Sequence, residues 1–251
     1  MEYKALRVVV ERPLARIVLA GGEGNRVGPR ALRELAEACS ALRDESEVRV
    51  VVLSAQGADF CLSWDIEAFG EGFELPPDPF GCLAALPQPV ICAVQGVASS
   101  AGFELALCAD VRLCSDDARF ALPEVGQGML PRGGGGQRLS RLAGRGVALA
   151  VLLAGEELDA AAALRAGVVS AVVPRAELAD RTEAIARTIA SRGPIATRYA
   201  KEAVHRGADM TLEQALRYET DLTIILQTTE DRAEGVRAFI EKREQPDFKG
   251  R

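Results

Sequence analysis

Val90-Ile91-Cys92-Ala93-Val94-Gln95-Gly96-Val97-Ala98-Ser99-Ser100-Ala101-Gly102-Phe103-Glu104 runs from a charge-free, partly β-branched segment through a string of small residues to a carboxylate. The first five residues suit a strand covered on both faces rather than an exposed edge. The small side chains at 98–102 let a ligand approach the backbone, and a helix starting after them leaves peptide N–H groups free at its positive end. A closely packed loop-to-helix junction accounts for the same residues. Glu104 falls inside apolar sequence, where an ionised carboxylate needs compensation. Phe120-Ala121-Leu122-Pro123-Glu124-Val125-Gly126 sets a second glutamate in a matching context. One such glutamate alone is more often a solvated or salt-bridged structural group; two that converge in a cleft make an acid/base pair.

Outward from this stretch, residues 48–53 read as another buried strand, and residues 8–10 and 16–19 as short strands ahead of the turn-rich Gly21-Gly22-Glu23-Gly24-Asn25. Pro29 opens a helix in which Leu32, Leu35, Ala36, Cys39 and Leu42 recur at three- and four-residue steps, giving it one face to bury. Residues 70–79 mix glycine, proline and acidic residues and read as a mobile loop or lid. Val111-Arg112-Leu113 leads into the loop that carries Glu124. The recurring order of strand, strand or loop, then helix predicts an α/β coil of similar turns.

From about residue 143 helix formers dominate. Gly167 ends one helix, an apolar run over 168–173 stops at Pro174, and Pro194 starts another helix. Thr211 with Gln214 forms a capping-box pattern, and residues 230–243 make a last amphipathic stretch. The expectation is an α/β core with the active site over residues 1–195 and a helical region over 196–251.

A formal net charge of −6 argues against a general nucleic-acid surface while leaving room for a local basic groove. No apolar run reaches membrane-spanning length, and Met1-Glu2-Tyr3-Lys4-Ala5-Leu6-Arg7 lacks the apolar stretch of a secretory signal, so a cytoplasmic protein with no membrane association is expected. Cys39, Cys61, Cys82, Cys92, Cys108 and Cys114 show no Cys-x-x-Cys spacing and read as reduced core residues. With His205 the single histidine, placed in a charged helical stretch, a histidine metal site or a Ser/His/Asp triad is disfavoured.

Acid/base chemistry next to a carbonyl also needs donors for the oxygen that gains negative charge. Residues 98–102 offer one set, and Phe60-Cys61-Leu62-Ser63-Trp64-Asp65-Ile66 a second, although Asp65 capping a helix that begins at Ile66 explains the latter without catalysis. Pro131-Arg132-Gly133-Gly134-Gly135-Gly136-Gln137-Arg138 lacks the terminal Lys-Ser/Thr of a Walker loop, so tight backbone packing beside the Glu124 loop explains it better than phosphate binding.

Taken in order, residues 60–66, 95–106, 120–124 and 130–139 resemble the crotonase superfamily, specifically the enoyl-CoA hydratases, and residues 234–243 with Pro246-Asp247-Phe248-Lys249-Gly250-Arg251 resemble that family's ending. The resemblance covers nearly the whole chain. It implies an α/β fold built as a spiral of ββα turns, with a C-terminal helical region for trimer assembly and commonly a dimer of trimers. It puts Glu104 and Glu124 on the two acid/base positions and the backbone N–H groups of Trp64 and Ala101 on the two oxyanion-hole positions. Leu62, Asp65, Ile66, Ser99, Ser100, Pro123 and Leu130 match positions lining the thioester and acyl pocket, and Arg26, Phe248 and Lys249 are candidates for CoA contact. Coenzyme A enters as the carrier of an acyl-CoA substrate, with no metal or redox cofactor. The family usually has a small residue where Trp64 stands and glycines where Ser100 and Ala101 stand, which predicts a narrower or differently shaped pocket. Hydration of a 2-enoyl-CoA is the leading expectation; double-bond isomerisation, cyclic dienoyl-CoA hydration, and a noncatalytic CoA- or RNA-binding relative are the alternatives.

Overall fold

A computed structural model describes residues 3–70, 75–243 and 246–251. Strands β1 (Leu6–Glu11) and β2 (Leu14–Leu19) form a hairpin, followed by helix α1 (Pro29–Arg43) and strand β3 (Val50–Ala55). The short helix α2 (Gly81–Ala84) precedes β4 (Val90–Val94), and then come β5 (Val97–Ser99), α3 (Ala101–Ala106), β6 (Val111–Ser115) and β7 (Arg119–Ala121). Helix α4 (Gly135–Ala154) leads through β8 (Leu158–Asp159), α5 (Ala160–Arg165) and β9 (Ala171–Val173) to α6 (Leu178–Ala190). Helices α7 (Pro194–Gly207), α8 (Leu212–Leu226) and α9 (Glu230–Ile240) close the chain.

Among the described residues the main sheet runs β1-β2-β3-β4-β6-β9, parallel except for the first hairpin, and β5-β7-β8 form a second, smaller sheet. The centre of the main sheet is buried on both faces because alternate side chains serve different cores. Val51, Leu53, Val90, Cys92 and Val94 join the larger cluster with α1, whereas Val50, Val52, Ile91, Ala93 and Leu113 pack with Leu178, Ala186 and Ala190 of α6. After the first hairpin, β3, β4, β6 and β9 join the main sheet one after another, while β5, β7 and β8 build the smaller sheet, so successive turns stack side by side.

Helix α1 forms where its periodicity predicts, but its buried face is Ala31, Leu35, Ala38, Cys39 and Leu42, with Ala36 exposed and Leu32 half-buried. The expected lid over residues 70–79 has Glu71, Gly72, Phe73 and Glu74 outside the described residues. The Thr211–Gln214 capping box is present in both directions. Among the described residues no helix is long and apolar enough to cross a membrane.

Candidate active site

Strand β4 ends in the core, and the chain turns through Gly96 into β5, whose Ser99 N–H donates to the Cys61 carbonyl at 2.9 Å. Ala98 pairs with Cys61 on one side and with Phe120 on the other. Three of the four sequence blocks quoted above therefore meet at one point. Ser100 adopts φ 54°, ψ −122°, a conformation L-residues rarely hold and one that costs of order 1–3 kcal/mol. Its N–H donates to the Ala121 carbonyl at 2.9 Å, which fixes the turn into α3. Gly102 must be glycine, since a Cβ there would collide with the Cys61 carbonyl oxygen.

Two peptide N–H groups are left without a ladder partner by this geometry. Val27 donates to the Ser63 carbonyl at 3.0 Å and accepts from the Asp65 N–H at 2.9 Å, so the parallel bridge brackets Trp64 and turns its own N–H away from Val27. Ala101 opens α3, and a first-turn N–H has no intrahelical acceptor.

Glu104 sits one turn into α3 and is 0% exposed. Its Oε1 accepts from the N–H groups of Gly133 at 2.6 Å and Gly135 at 2.9 Å, at the start of α4. Its Oε2 accepts from the Trp64 indole Nε1 at 3.2 Å. The glycine run is explained by this approach: a Cβ on Gly133 would lie 2.7 Å from the Phe80 ring, and one on Gly135 would lie 3.0 Å from the Glu104 side chain. The run therefore packs against Glu104 itself, and not only beside the Glu124 loop as the sequence suggests. Burial pushes the Glu104 carboxyl up to about 7, and the Glu124 charge adds to the rise, while the Gly135, Gly133 and Trp64 donors pull against it.

Glu124 lies in the 3-10 turn Pro123–Gln127 and is 5% exposed. Both of its carboxylate oxygens are buried with no hydrogen-bond partner among the described residues. It lines a cavity of about 510 Å³. Trp64, Ser100, Leu62, Asp65, Ile66, Pro123, Leu130 and Arg26 line the same cavity, so eight sequence candidates meet Glu124 there. Glu104, Ala101 and Ser99 are not among the residues that line it, Glu104 reaching it through its bond to Trp64, and Phe248 and Lys249 are elsewhere. The Phe248 carbonyl accepts from Arg49 at 2.6 Å, and the Lys249 N–H donates to Asp231 at 2.6 Å. Asp65 makes no side-chain cap on the short 3-10 turn Ile66–Ala68, which corrects the capping expectation: its φ −85°, ψ 79° places it outside cap geometry.

Sequence reasoning missed three parts of the site. The Gly133 and Gly135 N–H donors carry no side-chain signature beyond the glycines themselves. Phe80 stacks on Trp64 with centroids 5.2 Å apart and 13° between planes, and Phe69 meets the indole edge-on at 6.1 Å; nothing in the spacing announces either. A neighbouring cavity of about 370 Å³ shares Arg26 and Asp65 with the first and adds Lys4, Arg30 and Arg33. These four cations make no ion pair among the described residues, and the helical step from Arg30 to Arg33 was the available signal.

A family model described as enoyl-CoA hydratase/isomerase matches residues 14–251. The chain belongs to this family. It is 36% identical to a probable enoyl-CoA hydratase of Mycobacterium bovis over 97% of both chains, and 34% identical to a 2,3-dehydroadipyl-CoA hydratase of Escherichia coli over 100% of this chain and 97% of that one. The crystal structure of an enoyl-CoA hydratase from Bacillus anthracis superposes with a TM-score of 0.93 at 33% identity, covering 98% of this chain and 100% of that one. As a member of the crotonase superfamily, the chain has the α/β spiral that the sequence resemblance implied.

Proposed function

We propose that this chain catalyses the reversible hydration of a 2-enoyl-CoA to a 3-hydroxyacyl-CoA. The observation that carries the reading is the Glu124 carboxylate, buried at the cavity wall with both oxygens lacking a donor. Such a group is costly unless a water or substrate hydroxyl satisfies it. Water held there attacks C3 of the alkene and gives up a proton to one carboxylate as a proton is delivered to C2 from the other.

The thioester oxygen gains enolate character as C3 is attacked. The Trp64 and Ala101 N–H groups are the donors proposed to hold it, each worth about 3 to 4 kcal/mol of barrier in a preorganised site. Coenzyme A is the carrier, with no metal or redox cofactor in the reaction. The cations Lys4, Arg26, Arg30 and Arg33 supply a place for its phosphates beside the acyl cavity.

Assembly as a homotrimer or a dimer of trimers is part of this proposal, supported by apolar side chains left in solvent on α8 and α9, including Leu212, Ile224, Ile240 and Phe239, which is 85% exposed. The six free cysteines fit a cytoplasmic setting. Steady-state hydration assays with a panel of enoyl-CoA thioesters test the reading, and a purified, folded chain that hydrates none of them refutes it.

One observation favours a second reading. Glu124 lines the cavity and Glu104 does not, so a single carboxylate shuttling a proton between two carbons would isomerise a double bond without water. Loss of hydration but retention of isomerisation in Glu104→Gln distinguishes the two.

A further inference from the structure

A tryptophan indole is a donor only, and when buried it needs one acceptor. Trp64 gives its N–H to Glu104 Oε2 at 3.2 Å, while Oε1 already takes the two glycine N–H groups. An ionised carboxylate has about four lone-pair positions, and three are thereby filled. The one left is on Oε2, the oxygen that Trp64 holds. The indole is itself fixed, stacked on Phe80 and met edge-on by Phe69. It both lines the cavity and touches Glu104.

We propose that Trp64 is a positioning residue for Glu104, its indole N–H holding in place the one carboxylate oxygen that keeps a free proton site. This rests on the hydration reading above. The two backbone donors are set by the path of the chain, so Trp64 is the only one of the three that substitution can remove without moving the main chain.

Other charged or titratable groups face Glu104 from each neighbouring element. They are Glu124 in its 3-10 turn, Arg138 on α4 with its partner Asp78 at 2.7 Å, and the Cys108 thiol, whose Sγ lies 3.4 Å from the Glu104 carbonyl, with Cys82 beyond it. Burial pushes the Cys108 thiol up to about 12, which removes it from the neutral range.

Trp64 is the single tryptophan of the chain, so intrinsic emission of the intact protein reports this contact without turnover. The expected result is an emission change centred near pH 7 that is absent in Glu104→Gln. In Trp64→Phe, which keeps an aromatic ring in the stack, the acid limb of kcat/KM for hydration moves up by about one pH unit, because an anion-stabilising donor is lost. Its kcat falls with little change in KM. Wild-type emission that does not respond to pH, a response that persists in Glu104→Gln, or a Trp64→Phe pH profile identical to wild type overturns the proposal. A wild-type chain that hydrates no enoyl thioester refutes the reaction instead, and the emission titration still decides the contact.

Discussion

Glu104 and Glu124 are the same residue twenty positions apart, and their surroundings are opposite. Glu104 is fully buried and holds three donors, two of them from the start of a long helix; Glu124 is nearly as buried and holds none among the described residues. The first environment is complete in the protein alone, whereas the second is completed only by what enters the cavity. The contrast assigns Glu104 the part of a group whose geometry and proton affinity are built in, and Glu124 the part of a group that meets the reactant.

The largest expected effect tests whether both belong to one reaction. Glu104→Gln and Glu124→Gln are each expected to lower the hydration rate by roughly 10² to 10⁴, measured as kcat on an enoyl-CoA, if each carries a proton. A loss confined to Glu124→Gln reduces the site to one working carboxylate.

Linkage to pH separates the two next. Folded Glu104 binds its proton more tightly than the unfolded chain does. That stabilisation is complete below about pH 4.5 and is lost as pH rises through about 7, an amount of roughly 3 kcal/mol. Denaturant unfolding of wild type against Glu104→Gln should show this slope in wild type only.

Stability at fixed neutral pH sharpens the comparison further. In Glu104→Gln, one amide group must face either the glycine donors or the indole donor, and a clash of donors costs about 1–3 kcal/mol. Glu124→Gln replaces a carboxyl that has no hydrogen-bond partner among the described residues and is expected to change unfolding free energy by less than about 1 kcal/mol. The last expected effect, of similar size, concerns the turn into α3. Ser100→Gly relieves a positive φ and should raise stability by about 1 kcal/mol in the same unfolding assay.

The sequence made the sheet readable because strands buried on both faces are apolar in continuous runs, as at residues 50–53 of β3 and throughout β4. The register of α1 was less readable: several apolar stripes are compatible with a 3.6-residue period, and the strands underneath select the one through Ala31 and Ala38. Strands β5 and β7 have three residues each, too few for any period to show. Both glutamates could be singled out from their apolar contexts, and their cavity neighbours by resemblance. The partners of Glu104 could not, because Gly133 and Gly135 lie 29 and 31 residues downstream and act through the backbone. The role of the Trp64 side chain also depends on tertiary placement, since the same indole would suit any hydrophobic wall.

The central claim is that two differently held carboxylates confront one alkene. A crystal structure with a 3-hydroxyacyl-CoA product bound tests it most directly. The account predicts carboxylate oxygens of both Glu104 and Glu124 within about 3.2 Å of the 3-hydroxyl oxygen or of a water bonded to it. A product whose hydroxyl meets Glu124 alone, with no carboxylate oxygen of Glu104 within that reach, would contradict the account.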